Sequence, residues 1–297
     1  MNIKTDEQIE KDARSNLSDI DPKKLWGVGR FSLTEEELEE APKTLNCDKH
    51  GEFELKTHKS IMFKKYMFNS VCSKCIDEFD ALLDVEVKRL TRINNENKRE
   101  LETQNRIKAL KSRGVSKRSL DKNFDSYNAD TNEKLKAKSE CVRLCDSIIS
   151  GENQFNMLMV GGVGTGKTHL ANACVINLYD NNKSCVRINM IDMIRDVKKT
   201  WSKDCDYSES DVIEYFVDRD LLIIDEVGIQ FGSDTEKMII FDIINGRYEE
   251  CLPTVIISNL SIDGVKEIIG ERCIDRLRED GGKVIAFDWQ SNRGFKN

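Results

Sequence analysis

Proline is nearly absent from this chain of 297 residues: there are 3, beside 17 glycines. That excludes collagen-like and proline-rich low-complexity protein. Histidine is as scarce, at 3, and no Ser-His-Asp arrangement of a hydrolase is evident. No apolar run approaches the roughly 20 residues that span a bilayer; runs such as Leu221–Ile224 and Val255–Ile257 fall far short. The first residues, MNIKTDEQIEKDARSN, lack the apolar segment of a secretory signal. The expected location is therefore cytoplasmic, with no membrane partner. In that reducing setting the 10 cysteines are expected as thiols or metal ligands rather than disulfides.

Charge is plentiful instead. Charged residues make up 33% and hydrophobic ones 39%, a balance tilted toward solvent-facing surface. The net charge of −7 argues against general nucleic-acid binding, but the average conceals a pattern. Residues 1–46 hold 7 Lys/Arg against 11 Asp/Glu, whereas residues 88–118 hold 11 Lys/Arg against Glu96, Glu100 and Glu102. The basic stretch suits nucleic acid, an acidic protein surface or a merely solvated helix. The length suggests two domains. The segment RGVSKRS at 113–119 has a glycine, two serines and little periodicity, which places a boundary between 1–112 and 113–297.

From Ile76 to Lys111 the chain is free of Pro and Gly and rich in Glu, Lys, Arg and Leu. This composition predicts one long helix or a broken pair. The second half alternates instead. Strands are expected over Asn156–Val160, Cys185–Asn189, Leu221–Ile224, Thr254–Ser258 and Lys283–Phe287, with helices such as Thr168–Tyr179 and Glu236–Glu250 between them. Five short apolar runs joined by helix-length crossovers imply an α/β fold with a five-stranded parallel sheet covered on both faces.

The first of these strands runs into Gly161-Gly162-Val163-Gly164-Thr165-Gly166-Lys167-Thr168, which fits the phosphate-loop pattern in its required strand-to-helix context. Glycines let successive backbone N–H groups face inward as an anion nest, and the helix that follows directs its positive end at the phosphates. Lys167 is expected on the β- and γ-phosphates, the Thr168 hydroxyl on Mg²⁺, and His169 next to the loop. ATP or GTP is the implied ligand. Leu221-Leu222-Ile223-Ile224 ends in Asp225-Glu226, so Asp225 is placed to hold Mg²⁺ through water and Glu226 to polarise the attacking water. Asn259 follows a further strand whose C-terminal end lies on the same sheet edge. It either senses the γ-phosphate or belongs to a plain turn.

Ahead of the long helix, Cys47 and His50 form C-x2-H, and Cys72 and Cys75 form C-x2-C after 21 intervening residues. Three thiolates and an imidazole at this spacing suit structural, tetrahedral Zn²⁺. A hairpin from Gly51–Leu55 and from Met62–Phe63 through Met67–Phe68 is expected around it. The other seven cysteines are expected as small buried hydrophobes.

The phosphate loop, the Asp-Glu strand end, Ser258-Asn259 after a strand, Gly270-Glu271-Arg272-Cys273-Ile274-Asp275-Arg276-Leu277-Arg278 and Phe287-Asp288-Trp289-Gln290-Ser291-Asn292-Arg293 together resemble the DnaC-type helicase loaders. These are AAA+ ATPases, with the IstB-like transposition helpers as near relatives. The resemblance covers roughly residues 113–297. It implies an ATPase that assembles side by side, with Arg276 as an arginine finger toward a neighbouring subunit and Arg293 as a sensor arginine acting in cis. It also implies single-stranded DNA contacts at Lys198, Trp201 and Ser233, although a tryptophan on an amphipathic helix often serves a core. The implied partner is a hexameric replicative helicase, gripped by the N-terminal zinc-binding and helical domain. Two other readings stand beside it: a transposition helper on duplex DNA, and a zinc module that its ATPase domain only oligomerises.

Overall fold

The alternation of apolar runs and helical stretches after residue 113 folds as one parallel sheet. The computed structural model describes residues 3–21, 32–33, 39, 43–54, 56–60, 65–69, 72–202, 204–228 and 233–291. They divide into two compact units, 1–104 and 105–297.

In the second unit β6 (Met157–Gly161), β7 (Cys185–Asn189), β8 (Leu221–Val227), β9 (Thr254–Ser258) and β10 (Lys283–Phe287) lie in the order β10-β6-β9-β8-β7, all parallel. All five expected strands are present at these positions. Every residue of β9 is buried, as is β8 apart from Glu226; strands covered on both faces must be apolar on both. On one face α3 (Asn132–Ser150) and α4 (Lys167–Asp180) enclose a core of Leu144, Ile148, Met159, Leu170, Ile223 and Phe287. On the other, α5 (Met190–Lys199), α7 (Asp234–Glu249), α8 (Ile262–Ile269) and α9 (Glu271–Arg278) enclose Met193, Leu222, Ile240, Ile243, Ile256 and Leu277. Period-two alternation along β8 sends Ile223 to the first core and Leu222 and Ile224 to the second.

Arg247, fully buried on α7, ties this layer together. Its guanidinium donates to the carbonyls of Phe216 (2.9 Å), Val217 (2.7 Å), Arg219 (2.7 Å) and Pro253 (2.6 Å) and to the Thr254 hydroxyl (3.0 Å). Phe216 and Val217 end α6 (Glu209–Val217), so the cation also meets the negative end of that helix. Burial pulls this arginine down to about 9.

The first unit begins with α1 (Asp6–Asn16). Thr5 and Gln8 cap it reciprocally, hydroxyl to Gln8 N–H and side-chain amide to Thr5 N–H. Its Ala13 packs on Phe79 and Leu83 of α2, one unbroken helix over Ser73–Ser112. The small strands pair differently from expectation. β2 (Thr44–Cys47) pairs with β3 (Gly51–Glu54), whereas β5 (Lys65–Asn69) pairs with β4 (Lys56–Ser60) and with β1 (Ser32–Leu33). The three-residue turn Asp48–His50, closed by Gly51 at φ +75°, gives β3 a local partner, which costs less chain entropy than the longer closure. Met62 and Phe63 lie outside the described residues.

Five of the seven remaining cysteines are buried as expected, but Cys205 is half-buried and Cys251 is exposed. Cys251 occupies a turn at φ +53° beyond α7. Among the described residues no helix is long and apolar enough to cross a membrane.

Candidate nucleotide site and metal centre

A cleft of about 500 Å³ opens at the C-terminal edge of the sheet. Residues 163–169 line it together with Asn172, Asp225, Glu226, Ser258 and Asn259, and Ser119 and Lys122 reach it from the segment before α3. The expected loop, both Asp-Glu carboxylates and Asn259 are therefore brought together, although the three strand ends are far apart in sequence.

The loop is set by backbone geometry. Gly161 sits at φ +135°, and a Cβ there would lie 2.4 Å from the Phe287 carbonyl oxygen of β10. Only glycine permits that approach of strand end to strand end. Gly166 then caps α4 in the left-handed region, and Thr165 turns back to bond the Gly162 carbonyl at 2.8 Å. Lys167, 5% exposed, donates to the carbonyls of Gly161 and Gly162 at 2.7 Å each. Its burial pulls the amine below the usual lysine range, an effect the Asp225 charge opposes. The ammonium thus rests on the loop's own oxygens, where phosphate oxygens are the natural replacement acceptors.

Asp225 is 3% exposed. Its Oδ1 accepts the Glu226 N–H at 2.8 Å, and its Oδ2 lies 3.4 Å from the Thr168 hydroxyl and 3.0 Å from Arg187 Nε. A hydroxyl and a carboxylate facing each other across the loop fit a hard, oxygen-seeking cation such as Mg²⁺. Glu226 is exposed at φ +56°, where the β8–β9 register shifts between Ile224 and Val227. This bulge turns its side chain out of the strand and into the cleft.

His169 lines the cleft but is held by the segment before α3. Its Nε2 lies 3.0 Å from the Asn123 carbonyl and 3.2 Å from the Ser126 hydroxyl, and its ring meets Tyr127 edge-on at 5.2 Å. Burial lowers its basicity. Arg276 does not line the cleft. It lies on α9 against α7, 4.5 Å over the Tyr248 ring and 3.6 Å from Glu249. Arg293 lies outside the described residues.

Sequence reasoning missed two side chains. Trp289, just past β10, donates its indole N–H to the Thr165 carbonyl at 2.9 Å and so braces the phosphate loop. Arg187, the Asp225 partner, is a cation inside a short apolar strand, and that placement was the available signal.

The three residues expected at DNA form two contacts. Lys198 on α5 pairs with Glu236 at 2.8 Å, and Glu236 donates its backbone N–H to Ser233, the N-cap of α7. Lys198 and Ser233 are thereby neighbours. Trp201 is 52% exposed, with its indole bonded to Glu209; among the described residues it joins no hydrophobic core.

In the first unit Cys47, His50, Cys72 and Cys75 offer ligand atoms that all lie within 4.8 Å of one another. Cys47 ends β2, His50 closes the turn after it, and Cys72 and Cys75 flank the start of α2. His50 Nδ1 lies 3.7, 3.6 and 3.2 Å from the sulfurs of Cys47, Cys72 and Cys75, and Cys47 and Cys75 are 3.6 Å apart. A tetrahedral zinc with ordinary bond lengths has ligand edges of about 3.5–3.8 Å; three of these four separations match it and the His50–Cys75 edge is shorter, so the donor set and its spacing suit this ion. His50 Nε2 meets Glu78 at 3.1 Å, the carboxylate–histidine support usual behind a metal ligand. Burial pushes the Cys47 thiol up, but the backbone of Lys49 and His50 and the Cys75 and His50 side chains outweigh it and bring it down to about 7. Cys75 is half-buried, and that desolvation together with the neighbouring Cys47 and Cys72 sulfurs pushes it up to about 11.

Residues 77–278 match the family described as IstB-like ATP binding protein. The replicative helicase loader DnaC of Buchnera aphidicola subsp. Acyrthosiphon pisum is 31% identical over 182 residues, which cover 61% of this chain and 73% of that protein. DnaC of Escherichia coli K12 is 31% identical over 170 residues, 57% of this chain and 68% of that protein. In fold, the crystal structure of the DnaC helicase loader aligns with a TM-score of 0.50 at 21% identity, over 58% of this chain and 99% of that one. AMPPCP-bound DnaA from Aquifex aeolicus aligns with a TM-score of 0.50 at 17% identity, over 59% and 51%. With its phosphate loop, Asp-Glu strand end and five-stranded parallel sheet, the chain belongs to the IstB/DnaC family of AAA+ ATP-binding proteins.

Proposed function

We propose that this protein is a DNA-replication ATPase that binds a hexameric replicative helicase and loads it onto single-stranded DNA. The observation that carries the reading is the convergence of Lys167, Thr168, Asp225, Glu226 and Asn259 on one cleft, in a chain whose similar proteins include the DnaC loaders. Lys167 exchanges its loop carbonyls for the β- and γ-phosphates, while Trp289 and Gly161 hold the loop in shape. Thr168 and Asp225 would hold Mg²⁺, which when bound would supply charge neutralisation for the phosphates. Glu226, turned outward by the bulge, takes a proton from the attacking water. Asn259 contacts the γ-phosphate side of the cleft.

Arg276 does not line its own cleft, which favours a role toward the nucleotide of a neighbouring copy and hence self-association through the ATPase domain. Arg293 serves as the cis sensor. Lys198, Trp201 and Ser233 form the single-strand contact, with the exposed indole stacking on a base and the lysine leaving Glu236 for phosphate. The domain 1–112, ordered by zinc on Cys47, His50, Cys72 and Cys75, is the helicase-binding arm, and 113–297 is the motor.

Co-purification with the replicative helicase of the same organism, in ATP and in ADP, tests this reading. A nucleotide-dependent complex is expected. The absence of a complex in either nucleotide overturns it. Preferential assembly on duplex over single-stranded DNA favours instead the transposition-helper reading, which the family match to IstB-like proteins keeps in view.

A further inference from the structure

Arg187 lies at the centre of β7, the edge strand of the parallel sheet. It is in register with Ile223 of β8, so its side chain shares a sheet face with Asp225 two residues further on. Its Nε donates to Asp225 Oδ2 at 3.0 Å, and its Nη1 donates to Asn172 Oδ1 and to the Gly114 carbonyl at 2.9 Å each. The two charged side chains are 14% and 4% exposed, so little solvent screens the pair.

The guanidinium is fixed from behind as well. The Arg187 backbone N–H donates to the Arg113 carbonyl at 2.9 Å. Gly114, at φ +85°, approaches so closely that a Cβ there would lie 1.8 Å from the Arg187 carbonyl oxygen. Residues 113–114 thus strap the edge strand and hold the arginine against Asp225.

Asp225 Oδ2, the oxygen taken by Arg187, is also the one nearest the Thr168 hydroxyl. These two side chains are the ones that fit Mg²⁺. A unit positive charge at this distance cancels much of the field that would draw a divalent ion to the carboxylate. Mg²⁺ gives up water reluctantly and binds best where phosphates join one or two carboxylates.

We propose that Arg187 is a positioning residue that makes metal retention conditional on nucleotide: it keeps Asp225 aimed but neutralised, so that the cleft holds Mg²⁺ only when phosphate oxygens add their charge. This rests on the reading of the cleft as a Mg·ATP site.

The test uses the full chain and its Arg187→Met and Arg187→Lys variants. A fluorescent ADP analogue is titrated in Mg²⁺ and in EDTA, and Mn²⁺ alone is titrated by electron paramagnetic resonance. Arg187→Met is expected to raise the ratio of affinities in Mg²⁺ and EDTA by about tenfold, well within the reach of one unit charge near a divalent ion. It is also expected to bind Mn²⁺ without nucleotide at lower concentration than the wild type. Arg187→Lys keeps the charge and should stay near the wild-type ratio. If Arg187→Met does not fold, Arg187→Gln is read in the same way.

Equal weakening in Mg²⁺ and in EDTA, with the ratio unchanged, makes Arg187 a structural tie and overturns the inference alone. A wild type that binds no nucleotide in either condition overturns the ATPase reading together with it.

Discussion

Glu226 donates its backbone N–H to the Oδ1 of Asp225 at 2.8 Å while itself occupying φ +56°. The two consecutive carboxylates are thereby placed in different surroundings. Asp225 stays buried beside Thr168, and Glu226 is exposed in the cleft. A non-glycine residue at positive φ costs of order 1–3 kcal/mol and persists where the surroundings over-determine it; here the shift in β8–β9 register between Ile224 and Val227 accompanies it.

Glu226→Gln keeps the shape but removes the base. ATP hydrolysis should fall at least about a hundredfold, the scale of a lost general base, with ATP binding retained. Turnover by steady-state phosphate release checks this, and turnover near the wild-type rate would remove Glu226 from the mechanism.

Much of this site was legible because its chemistry is contiguous. The loop 161–168 and the pair Asp225-Glu226 carry their meaning within a few residues, and the strands that present them are apolar on both faces. Arg187 and Trp289 were not legible, since each acts on a residue brought near only by strand order. The outward turn of Glu226 arises from a β8–β9 register shift, which one strand read alone does not reveal. In the N-terminal unit the Cys/His spacing picked out four side chains that the fold brings together, whereas the strands, too short and polar for periodicity, left their pairing undetermined.

Trp289→Phe retains a ring beside Phe287 but loses the hydrogen bond to Thr165. One such bond is worth about 1 kcal/mol, so nucleotide affinity should fall about fivefold. Calorimetric titration with ADP reads this; unchanged affinity would show that the loop needs no brace from β10.

The four donors around His50 should hold one zinc per chain, measurable by metal analysis of the purified protein. Cys72→Ser or prolonged chelation should release it and unfold the local strands while ATP binding in the second unit survives. Metal-free protein with the same circular dichroism and thermal profile would contradict the assignment.

Arg276→Ala should leave ATP affinity of the isolated chain near normal and abolish the rise in turnover with protein concentration. A removed trans arginine costs on the order of a thousandfold in phosphoryl transfer. Unchanged concentration dependence would place Arg276 in packing alone, against Tyr248 and Glu249.

Most directly, Lys167→Ala should abolish ATP binding. The lysine is the one cation among residues 161–169 and rests on two loop carbonyls at 2.7 Å, ready to exchange them for phosphate. Equilibrium titration with fluorescent ATP should show affinity reduced beyond the range that detects wild-type binding, in a variant with unchanged zinc content. Tight ATP binding by Lys167→Ala would contradict the account of the cleft.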